Sequence, residues 1–280
     1  MSKGLLDPKV DFVFKNIFGS SNQPEILISF LNATLKAKKK IVNVDIKKTD
    51  IEKQYIEDKY SRLDVKATTS NDEIINIEIQ LKNENNMVKR SLYYLSKMYE
   101  EQLNEKEDYS KLVRTVCINI LNFKYLKTDN FHTGYRFKEI ESNEELTDIM
   151  EVHFIEIPKL QDSSDEKDML VAWTEFLKDP ESEKVRGLEL SIEEIRQAKD
   201  ELIRMSNDST QRELYDMRAN SLRDKMSELN AAERKGIEKG REEGRKEEKI
   251  EIARNMKLSG IDTNTIAKVT NLSEDEIDKL

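Results

Sequence analysis

The feature that most restricts how this chain can fold is a pair of short segments in which apolar and polar residues alternate with period two. Arg62–Ala67 puts Leu63, Val65 and Ala67 on one face and Asp64 and Lys66 on the other. Ile74–Leu81 puts Ile75, Ile77, Ile79 and Leu81 on one face, and Asn76, Glu78 and Gln80, continued by Lys82, on the opposite one. Between them, Thr68-Thr69-Ser70-Asn71-Asp72-Glu73 is turn chemistry, so the two segments predict an antiparallel β-hairpin. Matching the apolar faces sets Asp64 opposite Glu78, and directly opposed residues carry Cβ atoms about 4.5–5.5 Å apart. Two carboxylates that close repel unless a cation lies between them. A divalent ion that takes an oxygen from each answers that need. A solvated strand face carrying charges by chance produces the same alternation, and spacing alone leaves both readings open.

Helices and further strands frame the hairpin. Asp7 and Pro8 suit a helix start, Phe12, Val13, Ile17 and Phe18 give it an apolar face, and Gly19 ends it. A second helix over about Pro24–Leu35 runs into a basic stretch with Lys36, Lys38, Lys39 and Lys40. A short strand at Ile41–Lys47, a helix at Met87–Leu103 and strands at Thr115–Leu121 and Val152–Ile157 complete an α-α-β-β-β-α-β-β order. That order predicts a mixed α/β domain over residues 1–160, closing near Pro158. A helical extension over 161–209 and a charged helical arm with a small helical tail over 210–280 follow. The prolines are Pro8, Pro24, Pro158 and Pro180, so the last hundred residues have none, which favours long helices.

Within the arm, Gly236, Gly240 and Gly244 recur every fourth residue on nearly one helix face. Close helix contact and a weakened connector both fit, since each glycine costs about 1 kcal/mol of helix propensity. Leu214, Met217, Leu222, Met226 and Leu229 give a narrow apolar stripe that needs a partner helix, so the arm is expected to self-associate. Ser273 and Glu276 form a capping box in the tail.

Composition limits the chemistry. One cysteine, Cys117, excludes a disulfide framework and a cysteine zinc site, and His132 and His153 are too far apart for a HExxH-type motif. A catalytic metal must then rest mainly on carboxylates, which points to Mg2+ or Mn2+. No run of about 18 apolar residues and no apolar leader occurs, so neither a membrane span nor a signal peptide is expected, and the location expected is cytoplasmic. Residues 1–125 are net +3 and residues 126–280 net −12, which suggests different tasks for the two parts.

Several blocks in order carry a family likeness: Asp11-Phe12-Val13-Phe14-Lys15-Asn16-Ile17-Phe18-Gly19, Arg62-Leu63-Asp64-Val65-Lys66, Ile77-Glu78-Ile79-Gln80, Arg90 with Tyr94, Tyr109, and Ile266-Ala267…Thr270-Asn271-Leu272-Ser273. Together they resemble the Rpn family of recombination-promoting nucleases and transposases, within the PD-(D/E)XK superfamily, in an E-x-Q version of its motif. The resemblance implies a restriction-endonuclease-like α/β core and an Mg2+-dependent DNA endonuclease. It implies Asp64 and Glu78 as metal ligands and Asp11 as a further acidic residue near the metal. Gln80 stands where the broader superfamily has lysine. Glutamine can hold a water but brings no charge, so the role is open to Gln80, Lys82 or the flanking Lys66. DNA contacts are expected from Lys15, Lys36, Lys38, Lys39, Lys40, Lys66, Arg90 and Tyr94, although Arg90 and Tyr94 equally suit packing of their helix on the sheet. A second reading is a non-catalytic scaffold of the same fold with the arm mediating assembly. A helix-turn-helix regulator is disfavoured by acidic Glu274, Asp275, Glu276 and Asp278, so dimerisation or autoinhibition is the expectation for the tail.

Overall fold

A computed structural model of the chain describes residues 4–36, 39–47, 65–165 and 167–280. It divides into two compact units, Met1–Ala219 and Asn220–Leu280. The first opens with helices α1 (Asp11–Phe18) and α2 (Pro24–Leu35), then strands β1 (Val44–Lys47), β2 (Val65–Thr69) and β3 (Ile74–Gln80). Helix α3 (Met87–Glu100), strands β4 (Thr115–Leu121), β5 (His132–Lys138) and β6 (Glu145–Glu156), and helices α4 (Met169–Lys178), α5 (Glu183–Glu189) and α6 (Glu193–Asn207) follow. The strands form one sheet in the order β1-β2-β3-β4-β6-β5. β3, β4 and β6 run parallel at its centre, and the outer pairings are antiparallel.

Local chemistry moves several expected boundaries. α1 starts at Asp11 rather than Pro8, because Asp7 accepts from the Lys9 amide at 2.9 Å and its carbonyl from Val10 at 3.1 Å, making a turn first. β1 starts late because the Asn32 side chain takes both the amide (2.9 Å) and the carbonyl (2.8 Å) of Ile41. α3 ends early because Gln102 turns to the start of β4, donating to Thr115 Oγ1 at 2.7 Å and accepting from the Val113 amide at 2.8 Å.

The hairpin forms in the expected parity, with Val65 paired to Ile77, Lys66 to Asn76 and Ala67 to Ile75. The expected first strand's Arg62, Leu63 and Asp64 lie outside the described residues. β5 is a strand the pattern does not predict, and β6 begins at Glu145, seven residues before the expected start.

Helices cover both faces of the sheet. Ile75, Ile77 and Ile79 of β3 and Val116, Ile118 and Ile120 of β4 pack with Phe14, Phe18, Phe30 and Trp173 of α1, α2 and α4. On the opposite face Met87 and Leu95 of α3 pack on Cys117, Leu121, Val152 and Phe154. Of the two readings the alternation left open, the solvated strand face does not hold for β3: Asn76 (0% exposed) and Glu78 (1%) are buried beneath α3. The expected boundary near 160 does not coincide with a break in the core either, because Trp173, Phe176, Ile195 and Leu202 belong to the same apolar cluster as α1 and α2.

The second unit contains the greater part of α7 (Ser209–Leu258), with α8 (Thr263–Thr270) and α9 (Glu274–Asp278). Ala253, Ile266, Leu272 and Ile277 form its small core. Asp262 caps α8 through the Thr265 amide at 3.0 Å, Asn271 closes α8 in the left-handed region (φ 56°), and the Ser273–Glu276 capping box starts α9. Apart from the helix's own neighbouring backbone, no atom of the described residues lies within 4 Å of where a Cβ would stand at Gly236, Gly240 or Gly244, so no helix packs closely on that face among them. No helix among the described residues is long and apolar enough to cross a membrane.

Candidate active site

The polar residues of β3 look into the layer beneath α3, and Glu78 is the centre of that layer. Its Oε1 accepts from Arg90 Nε at 2.9 Å, from Arg90 Nη2, and from Gln80 Nε2 at 3.1 Å. Its Oε2 is buried and has no hydrogen-bond partner among the described residues. Burial raises the Glu78 carboxyl above the ordinary range, against the hydrogen bond and charge of Arg90 and the hydrogen bond of Gln80, which pull it down. An ionised oxygen without a partner in such a place is costly unless a cation compensates it.

Glu78 has polar neighbours on its own strand and on β4, where it pairs with Asn119. Asn76, two residues earlier on the same face, has a buried Oδ1 that also lacks a hydrogen-bond partner among the described residues. Asn119 of β4 receives the Ser91 hydroxyl at 2.9 Å and donates to the His153 carbonyl at 3.1 Å. The Cys117 thiol is pushed up to about 12 by burial, then by the Glu78 charge, so it is no nucleophile near neutrality. Arg90 lies 5.3 Å from the Tyr94 ring centroid, and Tyr94 stands edge-on to Tyr93 at 5.7 Å.

These donors fit a hard divalent cation. Glu78 Oε2 and Asn76 Oδ1, on one face of one strand, are oxygens without a hydrogen-bond partner among the described residues, the ligand type that Mg2+ and Mn2+ take. No group of three or more His, Cys, Asp or Glu side chains that could hold a metal occurs among the described residues. Asp64, the second expected ligand, lies outside them.

The other expected site residues are dispersed. Gln80 bonds back to Glu78, and Lys82 follows two residues beyond β3, half-buried. Lys66 pairs with Glu101 at 3.4 Å. Asp11, at the start of α1, pairs with Arg218 at 2.7 Å, and no contact joins it to Glu78 among the described residues. Lys15 is half-buried on α1. Lys36 pairs with Asp168 at 3.2 Å, Lys39 and Lys40 are exposed, and Lys38 lies outside the described residues. The Lys39 carbonyl accepts from Asn71 at 3.2 Å, which ties the basic run to the β2–β3 turn. That turn stands at the other end of β3 from Glu78, about 17 Å away at the usual rise of a strand.

Pattern reading passed over Asn119 and Ser91. A lone asparagine inside the apolar Thr115–Leu121 strand, and a serine on the inward face of α3, were the available signals. A second buried polar group sits on the far face of β6. Glu151 accepts from Arg114, from Arg136 Nε at 2.9 Å and from His153 Nε2 at 2.7 Å, and His153 Nδ1 lies 2.9 Å from His132 Nε2. Burial, then the neighbouring His153, hold His132 down at about 4.

Comparison with known families adds identity to this geometry. Residues 246–280 match the Rpn/YhgA-like nuclease family C-terminal HTH domain. That match corrects the preference for a dimerising or autoinhibitory tail over a helix-turn-helix. The acidity of α9 does not decide the fold, which rests on Ile266, Leu272 and Ile277 packed around the Asn271 turn. Such a domain supports DNA binding by the tail. No curated protein and no solved structure matches the chain. Residues 8–232 match the PD-(D/E)XK nuclease family transposases, whose fold the mixed six-stranded sheet with its flanking helices displays. On that match, which takes in the sheet, the helices over both its faces and Glu78, the chain belongs to the PD-(D/E)XK nuclease family transposases.

Proposed function

We propose that this chain is an endonuclease that hydrolyses DNA phosphodiester bonds with a divalent cation, Mg2+ or Mn2+, held by Glu78 and Asp64. The observation that carries the reading is the buried Glu78 Oε2, an acceptor with no partner among the described residues. The β2–β3 register ends at Val65 and Ile77, each one residue in sequence from Asp64 and Glu78. When bound, the ion would polarise the scissile phosphate and lower the pKa of an attacking water. Gln80 does not supply the charge of a lysine; its amide holds the Glu78 carboxylate from the side. Lys82, at the end of the same strand face, is the proposed source of positive charge toward the phosphate. Asp11 is proposed as an accessory acidic group, and exposed Lys39 and Lys40 as phosphate contacts away from the reacting bond. Self-association through the arm is proposed on its sequence pattern alone.

Cleavage of duplex and single-stranded DNA with Mg2+, with Mn2+ and with chelator tests the reading. Cleavage should need the ion, and Glu78→Gln and Asp64→Asn should each reduce kcat beyond the about 100-fold typical of losing an outer-shell partner of a metal ligand. Equal cleavage in chelator, or full activity in both variants, rejects it. A folded chain without cleavage under any ion favours the non-catalytic scaffold.

A further inference from the structure

Arg90 was a candidate for touching DNA, but its guanidinium is committed elsewhere. Nε and Nη2 both donate to one oxygen of Glu78, and Gln80 adds a third donor to that same oxygen. The partner oxygen, Oε2, receives none among the described residues. This asymmetry is built by two different elements: Gln80 approaches along β3 and Arg90 from α3 across the layer. Tyr94, one helical turn beyond Arg90, lies under its guanidinium at 5.3 Å and is itself 6% exposed, so the arginine is braced from behind. A carboxylate held this way cannot rotate freely, and its two oxygens are no longer equivalent.

We propose that Arg90 is a positioning residue for the metal site: together with Gln80 it occupies Glu78 Oε1, so that Oε2 alone is presented to the cation and Glu78 binds it through one oxygen. This rests on the metal-site reading given above and names how this chain prepares that site. Arg90 then supplies the fixed positive charge beside the carboxylate that Gln80 lacks, placed from the helix rather than from the strand. It orients the ligand and does not contact DNA.

The test measures Mn2+ binding by electron paramagnetic resonance, without DNA, for the full-length chain and for Arg90→Gln, Arg90→Lys and Glu78→Gln, with folding checked by circular dichroism and thermal melting. Cleavage is then resolved into kcat and KM for DNA. Arg90→Gln should weaken Mn2+ binding by about 10- to 100-fold, the usual effect of losing a group that orients a metal ligand. Arg90→Lys, which keeps the charge but not the forked contact, should be intermediate. In both, kcat should fall while KM for DNA stays the same. Unchanged or tighter Mn2+ binding in Arg90→Gln overturns the inference, because the arginine would then only stand in for the ion. A raised KM with unchanged kcat also overturns it, since that marks a DNA contact. If the glutamine variant does not fold, the lysine variant decides on the same readings, with wild-type Mn2+ affinity counting against the proposal. Wild-type Mn2+ binding by Glu78→Gln would instead defeat the metal-site reading itself, which separates the two failures.

Discussion

His132 is held neutral at the outer end of a buried chain that runs through His153 to Glu151. Its pKa is lowered from 6.5 to about 4 in the folded chain, so the unfolded chain binds the proton first as pH falls. Stability from this group is complete above about 6.5 and is lost toward about 4. Burial raises Glu151, but His153 and Arg114 outweigh it and hold the carboxyl at about 2 against 4.5, so its contribution is lost lower, as pH falls below 4.5. Thermal melting across this range should show the melting temperature falling from pH 6.5 downward, and His132→Gln should flatten the part between 6.5 and 4. Glu78 gives a second prediction. Because it is buried rather than solvated, Glu78→Ala should destabilise the fold, by about 3 kcal/mol, the low end for breaking a buried pair, as Arg90 keeps 29% of its side-chain surface exposed. Denaturant titration reads this, and Glu78→Gln should cost less. The parity of Asn76, Glu78 and Gln80 was legible in the sequence. The burial of Asn76 and Glu78 was not, because alternation records polarity and says nothing of how closely a helix from residue 87 onward covers that face.

Elements with an apolar rhythm were legible and those without one were not. Thr115–Leu121, Pro24–Leu35 and the Ser273 cap stand where their patterns place them. β5 escaped because His-Thr-Gly-Tyr-Arg-Phe-Lys, at the sheet edge, is exposed along most of its length and needs no buried stripe. The outer half of β6 escaped for the same reason. Gly134 of β5 marks a close approach, since a Cβ there would stand 3.1 Å from the His153 ring, which would have to shift by a few tenths of an ångström. The helices after 160 read as an extension because sequence order hides that α4 returns to α2. Trp173, fully buried, stacks edge-on to Phe18, Phe30 and Phe176, and its indole donates to Ser29 at 3.2 Å. A chain ending at residue 160 should therefore lack a cooperative unfolding transition in calorimetry. Trp173→Ala in the full chain should cost about 3–5 kcal/mol.

Across the whole molecule, acidity is concentrated after residue 125, in the part that also carries the helix-turn-helix match. Affinity and chemistry should then separate. Deleting 220–280 should weaken binding to duplex DNA and flatten its salt dependence, as phosphate contacts are lost, while Mn2+ binding is unchanged, because Glu78 and Arg90 lie in the other unit. Fluorescence anisotropy at several salt concentrations, in chelator to prevent cleavage, measures the first part. Cys117 makes the packing of α3 on the sheet observable. It is the chain's single thiol, wholly enclosed on the central strand β4 between the sheet and α3, with a pKa of about 12. A thiol reagent can reach it only in the moments when α3 lifts from the strands. Labelling of the untouched protein therefore acts as a stopwatch on that parting, and an ion or DNA strand that clamps the helix down will be seen as a slower tick.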